Sequence, residues 1–68
     1  MPSVARVTEI SARSPNSFED AVKVGVARAN KSLRNVEGAW IKEQEVTVSD
    51  GEVREYQVIL KVTFVLED

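Results

Sequence analysis

The chain ends in the stretch Val53–Asp68, VREYQVILKVTFVLED, which contains neither glycine nor proline. This stretch is rich in valine, isoleucine, tyrosine and phenylalanine, which fit a pleated sheet. Because a strand sends alternate side chains to opposite faces, the even positions from Tyr56 to Leu66 form an apolar face and the odd ones a mixed face. Sixteen residues at ~3.3 Å each span roughly 50 Å. We therefore predict that the strand bends sharply or that neighbouring chains complete the sheet.

A helix is predicted from Phe18 to about Arg34. It follows the breaker cluster Ser14–Ser17, in which Asn16 or Ser17 can cap the first backbone N–H groups. Apolar or small residues then recur every three or four positions, as in an amphipathic helix. They are Phe18, Ala21, Val22, Gly25, Ala29 and Leu33. A glycine costs about 1 kcal/mol of helix propensity, so Gly25 on this stripe indicates close packing against the sheet.

Two further strands are predicted, at Val4–Ser11 and at Ala39–Val48. Asp50–Gly51 then indicates a hairpin, because Asp-Gly supplies the positive φ of tight turns. The final strand therefore returns antiparallel. These patterns predict one α+β domain over residues 1–68 with the order β-α-β-β. The even face of the last strand is expected to contact four helix residues, namely Phe18, Val22, Ala29 and Leu33.

The composition excludes several kinds of site. The chain has no cysteine and no histidine, which excludes disulfides, thiolate or imidazole metal sites, and Ser-His or Cys-His catalytic pairs. We can name no nucleophile with a base, so we predict that the protein is not an enzyme. The net charge is −2 without a basic run, which argues against nucleic-acid binding. Neither a membrane span nor a signal-peptide pattern is present, so we expect a cytoplasmic protein with no membrane partner.

Small size and the long final strand both predict self-association. A chain of 68 residues is often only marginally stable alone. The mixed face of the last strand, with Gln57, Ile59, Thr63 and Val65, suits contact with neighbouring chains better than contact with water. We therefore predict a stable homo-oligomer.

Glu43 and Glu45 are a candidate metal site. They lie two residues apart on a predicted strand and so share one face, where two carboxylates can bind a divalent cation or share a proton. The alternative is a solvated strand edge or an ion pair at an interface. We favour this alternative, because a Ca²⁺ site usually takes ~6 or more oxygens.

Trp40 and Gln57 are a candidate ligand site. Trp40 is the single tryptophan of the chain, and the alternation places Lys42 and Gln44 on its face. Gln57 lies on the mixed face of the last strand. A tryptophan and a glutamine on one open sheet face can bind a flat heterocycle, by stacking and by hydrogen bonds to its polar edge. Packing between subunits is the alternative.

Seven short stretches form a pattern that is spread over essentially the whole chain. They are Ser14–Phe18 (SPNSF), Ala27–Ala29, Ser32–Arg34, the Asp50–Gly51 turn, Tyr56–Val58, Lys61–Phe64 and Leu66–Asp68. Together with the β-α-β-β order, they resemble the dodecins, a family of small flavin-binding proteins. The resemblance implies a hollow spherical homododecamer built from trimers. In each subunit a three-stranded antiparallel sheet would wrap partly around one helix.

The resemblance also implies a flavin site. In the family a tryptophan stacks on the isoalloxazine ring at the position of Gly38, and here Trp40 lies two residues further on the same strand face. The family glutamine that binds the polar edge of the ring matches Gln57. Bacterial members carry arginines at the positions of Glu45 and Val65. In the family these arginines affect the binding of flavins that carry a phosphate. The resemblance therefore predicts a protein that stores or sequesters a flavin (riboflavin, FMN or FAD). The alternative is a flavin-free shell that is structural or binds a divalent cation.

Overall fold

The structure is a computed structural model that describes residues 2–66. Its elements, in chain order, are β1 (Ala5–Ser14), α1 (Phe18–Ser32), β2 (Val36–Ser49) and β3 (Glu52–Val65). The strands form one antiparallel sheet in the order β1-β3-β2. The predicted α+β class and β-α-β-β order are confirmed. The predicted end of the last strand, at Glu67 and Asp68, lies outside the described residues. Within residues 2–66, no helix is long and apolar enough to cross a membrane.

Several predicted boundaries were wrong. Strand β1 continues to Ser14 instead of ending at Ser11, because it stays paired with β3 as far as Ser14 opposite Tyr56, and Ser14 is only 2% exposed. Helix α1 ends at Ser32 instead of about Arg34. The next residue, Leu33, has extended backbone angles, and its N–H donates to the Ala29 carbonyl at 2.9 Å. Strand β2 begins at residue 36 and not at residue 39.

Ser17, one of the two predicted caps, begins the helix. Its Oγ accepts a hydrogen bond from the Asp20 backbone N–H at 2.9 Å. The Asp20 carboxylate in turn accepts from Ser14 Oγ at 2.5 Å and from Asn16 Nδ2 at 3.3 Å. These bonds, chiefly the one from Ser14, hold the pKa of Asp20 below its ordinary value of 3.8. One carboxylate thereby fixes the connection between β1 and α1.

The core lies between α1 and the even face of β3. Val58, Leu60 and Val62 are fully buried, as predicted for this face. They form the core together with Ala12, Ala21 and Ala29. Three of the predicted helix contacts, Phe18, Val22 and Leu33, are partly buried and pack against this cluster. The even face of the last strand is therefore confirmed as the face that α1 covers.

Helix α1 approaches the sheet most closely at Gly25. A Cβ atom at this position would lie 2.9 Å from Ala12 Cβ and 2.9 Å from Leu60 Cδ1. Carbon atoms in a packed core prefer separations of about 3.5–4.0 Å, so no side chain fits there without movement. The prediction that Gly25 permits tight packing is confirmed.

The predicted hairpin turn is also confirmed. Asp50 and Gly51 both have positive φ, at 53° and 75°, the conformation that a two-residue turn with the right-handed twist of its strands requires. Strand β3 stays continuous over its length and is the central strand, so β1 and β2 of the same chain flank it. The sequence predicted that this strand bends sharply or that neighbouring chains complete the sheet; no bend breaks β3 between Glu52 and Val65.

Candidate ligand site on the outer face of the sheet

The sheet has an inner face, which α1 covers, and an outer face, which it does not. On β3, Glu55, Gln57, Ile59, Lys61 and Thr63 alternate with the buried core residues and so lie on the outer face. The residues of β2 that pair with them share this face. Both candidate sites, Trp40 with Gln57 and Glu43 with Glu45, lie on this face.

Strand β2 changes phase at a bulge. Its register with β3 leaves Lys42 as an extra residue between Ile41 and Glu43, and one extra residue reverses the alternation that follows. Gln44 therefore lies on the inner face, so the prediction that it shares a face with Trp40 was wrong. Glu43, by contrast, joins Trp40 on the outer face.

Trp40 is 51% exposed and pairs with Lys61 of β3. Lys61 Nζ lies 3.1 Å from Glu9 Oε1, and Lys42 Nζ lies 3.3 Å from the same oxygen. The hydrogen bond from Lys61, followed by that from Lys42, lowers the pKa of Glu9 below its ordinary value of 4.5. Two cations thus share one carboxylate next to the position of Trp40.

Gln57 lies between Arg13 of β1 and Glu45 of β2 in the register of the sheet. Arg13 Nε donates to Gln57 Oε1 at 3.1 Å. This bond orients the amide, because a guanidinium only donates and must therefore face the amide oxygen. The amide NH₂ group is then a donor with a fixed direction.

Trp40 and Gln57 share the outer face but are not adjacent. The β3 partner of Trp40 is Lys61, four positions from Gln57, which corresponds to about 13 Å along the strand. Gly38 lies on the same face as Trp40, and no atom lies within 4 Å of the position that its Cβ would occupy. The space over the backbone at Gly38 is therefore open to a flat ligand.

Glu43 and Glu45 share the outer face, as predicted, and pair with Ile59 and Gln57. With these partners and Gln44 they line a depression of about 20 Å³, close to the room that one water molecule needs. Among residues 2–66, no group of three or more His, Cys, Asp or Glu side chains is placed to hold a metal ion. The two carboxylates alone fall short of the 6–8 oxygens that Ca²⁺ takes.

Three residues of this surface, Glu9, Arg13 and Lys61, were not predicted as part of a site. Arg13 was missed because the first strand was expected to end at Ser11. The available signal was the spacing of Glu9 and Arg13, which an unbroken strand places on one face. Their partners on β3, Lys61 and Gln57, can be assigned only once the register between β1 and β3 is known.

The comparisons with known proteins agree with this architecture. A family model described as Dodecin matches residues 4–67. The chain belongs to the dodecin family. The dodecin of Thermus thermophilus is 37% identical over 68 residues, which cover 100% of this chain and 99% of that protein. The resemblance stated from the sequence is therefore confirmed.

Solved dodecin structures share the fold. The dodecin from Streptomyces davaonensis superposes with a TM-score of 0.93 at 31% identity, covering 100% of both chains. A calcium-chelating antigen of Mycobacterium tuberculosis, calcium dodecin, has a TM-score of 0.81 at 33% identity over 96% of this chain and 93% of that one. That protein is described with a novel calcium-binding site. Membership of the dodecin family makes this chain a small, self-assembling binding protein.

Proposed function

We propose that this dodecin binds a flavin on the outer face of its sheet, within a homododecamer, and stores or sequesters the flavin without turnover. The observation that carries the proposal is the exposed position of Trp40, half of whose surface is accessible on an open sheet face. A large aromatic side chain in that position is a platform on which a flat ring can stack.

The site combines residues of two subunits. Within one chain, Trp40 and Gln57 are separated by about 13 Å along the sheet, too far for both to contact the same end of one ring. Across a symmetry axis of the assembly, Trp40 of two copies would enclose the ring, with the open backbone at Gly38 giving it room. Gln57, oriented by Arg13, would donate its NH₂ to a carbonyl oxygen on the pyrimidine-like edge.

The charges near Gln57 favour a flavin without phosphate. Glu45 pairs directly with Gln57, Glu55 lies two residues from Gln57, and Glu43 lies two residues from Glu45, all on the outer face. These three carboxylates outnumber the one cation among residues 2–66 that contacts Gln57, Arg13. A phosphate brought close to these carboxylates is repelled, because like charges at short range disfavour each other. We therefore expect riboflavin to bind more tightly than FMN or FAD.

Flavin titration tests the site. Binding is followed through quenching of riboflavin fluorescence by the wild type, Trp40→Ala and Gln57→Ala. Loss of stacking in Trp40→Ala costs on the order of 1 to 3 kcal/mol, by analogy with bases stacked on aromatic side chains. Loss of the amide hydrogen bond in Gln57→Ala costs about 1 kcal/mol.

Ile41→Ala is the matched control for Trp40→Ala. Ile41 is the next residue of β2, it is 45% exposed, and it pairs with Leu60 on the inner face. This variant should bind riboflavin as the wild type does. Equal affinities for all four proteins, or no binding by the wild type, would contradict the flavin site.

Light scattering tests the assembly separately. The chain has a mass of 7.5 kDa, so the proposed particle has about twelve times this mass, as expected for a closed symmetric homo-oligomer. A monomer mass at micromolar concentration would contradict it.

The second candidate function is a flavin-free shell that binds a divalent cation. It is supported by the depression between Glu43, Glu45 and Gln57 and by the calcium site described for the M. tuberculosis relative. Further oxygens would have to come from other subunits or from water. Calorimetric titration with Ca²⁺ of the wild type and of Glu43→Gln/Glu45→Gln distinguishes the two functions. Calcium binding that the double variant loses, together with no riboflavin binding, would favour the shell.

A further inference from the structure

The side chain of Gln57 is bound by a residue of another strand. Arg13 of β1 lies opposite Gln57 in the register, and its Nε donates to Gln57 Oε1 at 3.1 Å. Gln57 is partly buried, whereas Arg13 is exposed. Among residues 2–66, no atom accepts a hydrogen bond from the Gln57 NH₂ group. The oxygen end of the amide is therefore occupied by the guanidinium, and the nitrogen end is open.

The guanidinium of Arg13 determines which end of the amide is free. Arginine only donates hydrogen bonds, whereas an amide has an acceptor oxygen and a donor NH₂ group. A bond from a charged donor is roughly twice as strong as a bond between neutral groups. If the amide turned over, its NH₂ group would face the guanidinium, and neither group could accept. Arg13 therefore holds the amide oxygen on its own side and leaves the NH₂ group for a ligand.

Arg13 also changes the hydrogen-bonding strength of the two ends of the amide. Hydrogen bonds in a chain polarise one another, so a cation bound to the oxygen makes the NH₂ group a better donor. The same cation occupies one of the two lone pairs of Oε1. A second donor on that oxygen would lie beside the positive charge and bind less strongly. Gln57 therefore donates strongly and accepts weakly.

We propose that Arg13 is a positioning residue that makes Gln57 a donor, so that the site recognises a carbonyl oxygen on the edge of a flat ring and not the N–H group beside it. The inference rests on the flavin function proposed above and identifies the part of the ligand that Gln57 binds. The pyrimidine-like edge of a flavin has two carbonyl groups, one on either side of the imide N3–H. The site therefore accepts a ring with this carbonyl edge whether or not the nitrogen between the carbonyls carries hydrogen.

A flavin methylated at N3 tests this selection, because it keeps both carbonyl groups and lacks the imide N–H. The affinities for riboflavin and 3-methylriboflavin are measured by fluorescence quenching, and their ratio is compared between variants. Both ligands are uncharged, so the effect of a changed protein charge largely cancels in the ratio. For the wild type we expect methylation to weaken binding by less than about threefold, because no hydrogen bond to Gln57 is lost.

Arg13→Glu should turn the amide over. A carboxylate only accepts hydrogen bonds, so the Gln57 NH₂ group turns toward the new side chain and Oε1 faces the ligand. Methylation of N3 should then weaken binding by about tenfold or more, because a hydrogen bond is lost and its acceptor is left unpaired. Arg13→Lys keeps a cationic donor and should keep the wild-type ratio. The control Arg28→Glu reverses a charge on α1, where Arg28 donates to Ser32 Oγ at 2.6 Å, and should also keep the wild-type ratio.

Two kinds of result would overturn the role of Arg13 while leaving flavin binding intact. One is an equal affinity ratio for the wild type and Arg13→Glu, or a ratio for Arg13→Lys as large as that for Arg13→Glu. The other is a ratio raised as much by Arg28→Glu as by Arg13→Glu, which would assign the effect to net charge. A wild type that binds no riboflavin would overturn the proposed function and this inference together.

Discussion

Replacing Gly25 by alanine separates two opposing effects at the centre of α1. Helix propensity alone predicts that Gly25→Ala stabilises the protein by about 1 kcal/mol. The structure predicts the opposite sign, because the new Cβ would lie 2.9 Å from both Ala12 Cβ and Leu60 Cδ1. The substitution therefore measures how closely the helix is held on the sheet.

The size of the destabilisation depends on which atoms can move to make room for the new Cβ. Leu60 Cδ1 is the end of a side chain but is fully buried, so its rotation displaces core neighbours. Ala12 Cβ is attached directly to the backbone of β1, which must shift as a unit. Overpacking of this kind costs about 1–3 kcal/mol, from which the propensity gain of about 1 kcal/mol is subtracted. We expect a net destabilisation of about 1 kcal/mol, within a range of about 0–2 kcal/mol.

Denaturant unfolding is the assay, with all variants at one protomer concentration because the stability of an oligomer depends on concentration. Asn30→Ala is the control, since Asn30 is exposed on the same helix and should gain a few tenths of a kcal/mol from propensity alone. Ala12→Gly removes one of the two short contacts. The double variant Gly25→Ala/Ala12→Gly should therefore show a favourable coupling of about 0.5 kcal/mol or more.

A stabilised Gly25→Ala protein, with a gain as large as that of Asn30→Ala, would refute the close approach. Additive effects of Gly25→Ala and Ala12→Gly would refute the part assigned to Ala12. In that case the cost would have to arise at Leu60 alone, and Leu60→Val would relieve it.

Three further predictions concern the core, the helix start and the ligand. Leu60→Ala should lower the free energy of unfolding by about 2–5 kcal/mol, because it empties a fully buried position. The ionised Asp20 carboxylate stabilises the fold above pH 3.8, and this contribution is lost as the pH falls through its lowered pKa. Asp20→Asn should therefore flatten the loss of stability in acid, measured by thermal unfolding at a series of pH values. Glu45→Arg should raise FMN affinity by up to about fivefold, since exposed charge pairs are worth about 0.2–1 kcal/mol, and should leave riboflavin affinity unchanged.

Each of these predictions has a matched control. Leu66→Ala removes the same side chain at an exposed site and should cost far less. Glu19→Gln changes the neighbouring carboxylate, which forms only a surface ion pair with Lys23 at 3.1 Å, and should keep the acid-dependent loss. Glu37→Arg adds the same charge at an exposed site of β2 away from Gln57. If Glu37→Arg raises FMN affinity as much as Glu45→Arg does, the net charge of the protein, and not the position of the arginine, controls which flavin binds.

The fold was largely predictable where one face of an element is apolar. Strand β3 alternates without interruption, so its buried face could be read from the positions of Val58, Leu60 and Val62. Strand β2 has no apolar face to fix its phase, and nothing in the residue types marks Lys42 as an extra residue. Its faces could therefore be assigned only once the pairing with β3 was known.

The candidate site was predictable only in part, for the same reason. That Glu43 and Glu45 share a face follows from strand periodicity alone. That Trp40 lies on their face and Gln44 does not depends on the bulge. The hydrogen bond from Arg13 to Gln57 joins residues 44 positions apart, a relation that local patterns do not encode.

The bulges also make the two strands of the hairpin unequal in length. From Val36 to Glu45, ten residues of β2 run beside only eight of β3, an excess of about 7 Å. A ribbon with one longer edge curves toward its shorter edge, so counting residues alone is enough to bend the body of the sheet. At the tip of the hairpin, between Thr47 and Val48, the inequality reverses, because the extra residue, Arg54, belongs to β3. The longer edge of the ribbon therefore changes sides between the body of the sheet and the tip of the hairpin.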